Sequence, residues 1–134
     1  MGWLLVGATI FTMTLSVKTL LKLPWEGYMF SLRNFLYLSL TYTVLLIGFA
    51  VIYTVFQIEG MDVVDHAESE SFWALFLTML YFSAMMIFSV GNGELLPQGI
   101  GRGIAVTAAF IGQVLPVTVI WTLIANGGSQ SFEK

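Results

Sequence analysis

The chain has 134 residues, of which 57% are hydrophobic and 10% charged, with mean hydropathy +0.87; a soluble domain carries roughly a quarter charged residues, so this composition is that of a membrane protein. The length allows two or three spans of about 20 residues with short connections and no separate soluble domain. A net charge of -3 is too small to direct a partner such as nucleic acid, and the lack of cysteine removes disulfides, thiolate metal sites and cysteine nucleophiles.

Charged residues divide the sequence into four uncharged stretches. The first, residues 1–17, is followed by Lys18 and Lys22. It is about the minimum length for a span and contains several hydroxyl residues, so a third crossing helix and a helix lying along the inner leaflet are both open. A signal peptide fits less well, since no basic residue precedes the apolar run and no small-residue cleavage site follows it. Pro24 to Arg33, with Trp25 and Tyr28, reads as an interfacial slide helix suited to the headgroup layer, and residues 1–34 form an N-terminal section.

The second stretch, residues 35–57, is long enough to cross as an outer helix. Residues 58–71 form an acidic turret in which Glu59, Asp62, Asp65, Glu68 and Glu70 have no basic residue among them. Their spacing does not match a calcium loop, and concentrating cations at a solvated surface is the simpler role. His66 reads as exposed, with no arrangement around it that suggests catalysis.

The third stretch cannot be a continuous spanning helix, because Gly91, Asn92, Gly93 and Pro97 would break it. It reads as a re-entrant pore helix over 72–88 that enters and stops, followed by an extended return strand over 89–94. Non-helical backbone at membrane depth is tolerated only where protein buries it or where it lines a watery cavity. Taken alone, however, Val90-Gly91-Asn92-Gly93 reads equally as an ordinary glycine turn between two helices.

The fourth stretch supplies an inner helix over 99–126, with residues 127–134 as a tail. Gly99 with Gly103, and Ala108 with Gly112, are small residues four apart that permit close helix contact. Pro116 removes one backbone hydrogen bond and should kink the helix. Gly112 and Pro116 together suit a gating hinge, with Ile120, Leu123 or Ile124 as a constriction, and suit a plain packing kink equally well. Lys18, Lys22 and Arg33 precede the outer helix and the carboxylates follow it, so the positive-inside rule places the basic end in the cytoplasm and the turret outside; Arg102 opposes this alone.

The run Tyr81 to Glu94, YFSAMMIFSVGNGE, with Leu95-Leu96-Pro97, Gly101-Arg102 and Gly112 after it, resembles the two-transmembrane-helix, pore-loop type of the potassium channel superfamily. That family lines its filter with backbone carbonyls from a T-V-G-Y-G strand in each of four subunits; here Ser-Val-Gly-Asn-Gly-Glu stands in place of Thr-Val-Gly-Tyr-Gly-Asp. The resemblance covers roughly residues 35–126. It implies an all-α membrane protein assembled as a homotetramer in the cell membrane, with the filter facing outward.

It also implies monovalent cation sites at Ser89, Val90 and Gly91, with Asn92 and Gly93 completing the filter. Glu94 takes the place of the aspartate that braces the filter, and Tyr81 the place of its aromatic donor, so a Tyr81–Glu94 hydrogen bond is expected. Asn92 cannot supply the packing of the family's tyrosine, and similar filters occur in bacterial nonselective sodium-potassium channels. The expected function is therefore a cation channel passing potassium and sodium with reduced selectivity, with no cofactor besides the permeant ions. A potassium-selective channel and a nonconducting accessory subunit are the alternatives. An enzyme is not expected, since no nucleophile arrangement, metal cluster or phosphate loop stands out, and no arginine-repeat helix is present to sense voltage.

Overall fold

A computed structural model describes residues 1–22, 32–65, 71–91 and 93–129, the side chains of 123 and 125–129 excepted. The expected slide helix, His66, Glu68, Glu70, Asn92 and the side chain of Leu123 lie outside the described residues. Four helices follow in order: α1 Gly2–Lys22, α2 Leu32–Ile58, α3 Phe72–Ile87 and α4 Ile100–Ser129. α1, α2 and the segment Ile100–Thr122 of α4 are long and apolar enough to cross a membrane. α3, at 16 residues, reaches only about 24 Å and falls short of a hydrocarbon core of about 30 Å. The molecule is an all-α membrane protein.

α1 lies against α2 from end to end and runs antiparallel to it. Gly2 sits beside Val55 and Glu59, and the ring of Trp3 is 5.8 Å from that of Phe56. Further along, Met13 rests on Gly48, where an added Cβ would come within 2.5 Å of its Sδ. This packing sets α1 alongside a second helix that is, like α1 itself, long and apolar enough to cross a membrane. Its hydroxyls do not oppose that placement, because Thr9, Thr12, Thr14 and Thr19 each donate to the carbonyl four residues back. Hydroxyls satisfied within their own helix need no water.

The core sits between α2 and α3, where Tyr53 meets Phe82 edge to face at 5.1 Å and both are fully buried. Ser83 is equally buried and donates to the Met79 carbonyl. On its far side α3 packs against α4. An apolar groove of about 760 Å³ runs between α1 and α4 over α2, walled by Ile10, Phe49 and Ile104 among others.

In the described part of the turret, Glu59 and Asp62 are exposed as expected, but the segment between them and α3 is not wholly solvated. Val63 and Val64 are buried, and both of their amides donate to the Gln57 side-chain oxygen at 3.1 and 3.3 Å. Val64 pairs antiparallel with Pro97: the Asp65 amide donates to the Leu96 carbonyl and the Gln98 amide to the Val63 carbonyl, each at 2.8 Å. Gly101 packs directly against the Val63 carbonyl, where any Cβ would collide with backbone. Two apolar residues amid the acids thus tie the end of α2 to the start of α4.

Candidate functional site

That tie fixes the path of the intervening chain. α3 begins on the side where α2 ends and α4 starts, and it runs inward until Ile87 meets Gly112. Gly112 lies one residue past the centre of the spanning segment Ile100–Thr122, about 18 Å along α4. The chain then returns to Pro97, on the side it came from. α3 thus ends beside the middle of the apolar segment of α4, and the chain doubles back from there.

At that point the chain departs from the extended strand expected of it. The Ser89 amide donates to the Met86 carbonyl at 3.0 Å, the Val90 amide to the Met85 carbonyl at 3.0 Å, and the Gly91 amide to the same Met85 oxygen at 3.4 Å. The first two bonds form a Schellman cap, which satisfies carbonyls left without partners at a helix end. The cap explains why Ser89 holds φ +53, the only positive φ of a non-glycine among the described residues. Gly91 follows at φ +75, where glycine carries no Cβ penalty.

One consequence concerns the carbonyls. The peptides are trans, so each C=O points opposite to the N–H of its plane. With the amides of Ser89, Val90 and Gly91 all turned onto the last turn of α3, the carbonyls of Phe88, Ser89 and Val90 all turn away from it. Alternating backbone handedness produces such one-sided rows, N–H on one side and C=O on the other. The Val90 side chain is 69% exposed, and Ser89, Gly91 and Gly93 are exposed with it.

Around this turn the structure gathers residues from three helices. Gln113 Nε2 donates to Ser89 Oγ at 3.1 Å. The Tyr42 ring stacks on Phe88 at 5.9 Å with an interplanar angle of 11°, and its hydroxyl donates to the Gly112 carbonyl at 2.6 Å. Pro116 lies one turn further along α4. Neither Tyr42 nor Gln113 stands out in the sequence. For Tyr42 the available signal is the rule that a helical proline leaves the carbonyl four residues back without a donor, which points to Gly112 and asks what reaches it.

Nearer the turret, Tyr81 and Glu94 border one open pocket with Leu77, Thr78 and Leu95. The structure brings the two side chains to one place; among the described residues no hydrogen bond joins them. Arg102, beside Gly101, donates from Nε to the Pro97 carbonyl at 3.2 Å and so helps hold the returning chain.

Comparison with known proteins agrees with this geometry. A family model described as "Ion channel" matches residues 40–126. The chain belongs to the ion channel family of the two-helix, pore-loop type. The matched region of this channel takes in most of α2, all of α3, the returning chain and most of α4, and leaves α1 outside. Over 82 residues the channel is 35% identical to a protein named LctB from Bacillus caldotenax and to another of that name from Geobacillus stearothermophilus, with 59% of this chain and 61% of each relative covered. The channel thus spans about three fifths of the length of the curated relatives it matches. No solved structure gives a significant match.

Proposed function

We propose that the chain is one subunit of a homotetrameric cation channel, in which Ser89, Val90, Gly91, Asn92 and Gly93 form the filter and potassium and sodium both pass down their gradients. The observation that carries this reading is the row of carbonyls from Phe88, Ser89 and Val90, turned outward at the mid-depth end of α3. Backbone oxygens replace the water shell of a cation when several converge on one axis. One chain supplies one wall, and its non-helical backbone needs cover from other copies or a watery cavity at that depth.

Electrostatics favour cations at this point. The C-terminal end of α3 carries roughly half a negative elementary charge and is directed at mid-depth. The Ser89 hydroxyl adds an oxygen, oriented by Gln113. Glu59, Asp62, Asp65 and Glu94 give the mouth a negative potential that concentrates cations and turns anions away. With Lys18, Lys22 and Arg33 cytoplasmic, that mouth is extracellular.

Reduced selectivity follows from Asn92. Its amide side chain is shorter than a tyrosine ring and cannot wedge the upper filter at a fixed width, so the sites above Val90 widen. Tyr81 and Glu94 support the returning chain across their shared pocket, and Gly112 with Pro116 is the bending point of α4.

Purified protein in vesicles tests the reading. Potassium and sodium gradients should each drive flux well above that of empty vesicles, and a chloride gradient balanced by an impermeant cation should drive none. Flux of neither cation, with the protein folded and inserted, would leave the accessory-subunit reading in its place.

A further inference from the structure

We propose that Tyr42 is a positioning residue of the pore: its hydroxyl takes the place of the backbone donor that Pro116 lacks, and so clips the bending point of α4 to α2. The inference rests on the channel reading for its gating consequence and on geometry alone for the bond.

In an α-helix the carbonyl of residue 112 accepts from the amide of residue 116. Here residue 116 is proline, within an unbroken helical run, and it has no N–H to give. The Gly112 carbonyl is also close to the centre of a spanning segment, where an unpaired backbone group costs several kcal/mol. Tyr42, from the first half of α2, donates to it at 2.6 Å, the short distance typical of an O–H···O bond.

The neighbouring contacts give the bond its leverage. The same ring stacks on Phe88, one residue before Ser89. Gly112 has the Ile87 carbonyl where a Cβ would stand, and the next residue, Gln113, bonds to Ser89. A bend of α4 at Gly112–Pro116 must therefore drag α2 with it or break the Tyr42 bond. The bond thus resists bending at Gly112–Pro116, and on the channel reading it is bending there that opens the pore mouth.

A double-mutant cycle between Tyr42→Phe and Pro116→Ala isolates this role. The phenylalanine keeps the ring and its stacking and removes only the hydroxyl; the alanine restores the backbone N–H and gives the Gly112 carbonyl a helical partner. With Pro116 present, Tyr42→Phe should raise the spontaneous open probability in planar bilayers about fivefold, the factor one net hydrogen bond is worth, and lower the midpoint of thermal unfolding. With Pro116→Ala, the same change should alter neither. A ¹³C label at the Gly112 carbonyl should shift on Tyr42→Phe only when Pro116 is present.

Equal effects in both backgrounds would show that the hydroxyl acts independently of the donor that Pro116 lacks, and no effect in either would show that the bond holds nothing; both results overturn the proposal. If the unsubstituted protein carries no current, the channel reading fails, while the unfolding cycle and the labelled carbonyl still decide the bond.

Discussion

Ser89 holds a left-handed backbone at a cost of about 1 kcal/mol relative to a residue in an ordinary well, and the two cap bonds onto Met85 and Met86 offset it. Glycine substitutions separate backbone strain from crowding. Gly91 has open space where a Cβ would stand and φ +75, so Gly91→Ala meets conformational strain alone and should lower stability by about 1 to 2 kcal/mol in detergent unfolding. Gly48→Ala meets Met13, a flexible side chain that can swing aside, and should cost under about 1.5 kcal/mol. Gly112→Ala instead drives a methyl into the Ile87 backbone and should cost about 3 kcal/mol or more, or prevent folding. The tyrosines of α2 differ in the same way. The Tyr53 hydroxyl is buried with no partner among the described residues, so Tyr53→Phe should be neutral or raise stability by about 1 kcal/mol, opposite in sign to Tyr42→Phe. Phenylalanine scanning with one thermal assay checks both.

At the scale of elements, the helices were legible because hydrophobic length and charge placement determine which segments can cross, and glycines with a proline determine where α3 must stop. The stop is legible as a break and not as a shape. An extended return was the simplest continuation; the Schellman cap forms because the Met85 and Met86 carbonyls lacked donors, and pattern alone does not say which amides will reach them. The turret illustrates the same limit. Its carboxylates suggested a solvated loop, and Glu59 and Asp62 are exposed, but Val63 and Val64 are buried and Gln57 satisfies their amides. Gln57→Ala should raise hydrogen exchange at Val63 and Val64 by about fivefold each, since a net bond of about 1 kcal/mol is lost at each amide, while amides in α3 keep their protection. The first helix was open between two placements because its length is marginal for a span. Contacts with α2, from Trp3 through Met13, lay it along a helix long enough to cross, and these depend on residues far apart in sequence.

For the whole molecule, the proposed function requires more than one chain. α4 presents Val106, Phe110, Val117, Trp121 and Ile124 to the outside, all more than half exposed, at helical spacing along one side, and Val90 stands exposed beside them. On the proposed reading, further copies around an axis cover the polar backbone turn and the apolar helix face, and native mass spectrometry from detergent should find four chains. The absence of native cysteine allows sidedness to be read directly: Asp62→Cys should react with an impermeant maleimide applied outside the cell, and Lys18→Cys only after the membrane is opened. The central claim, that the carbonyls of this turn conduct cations and that Asn92 widens the path above them, is tested most directly by the reversal potential of the purified protein in a planar bilayer with potassium on one side and sodium on the other. The account predicts a cation current reversing near zero; reversal close to the potassium equilibrium potential would contradict it, showing that the filter discriminates without a tyrosine between its two glycines.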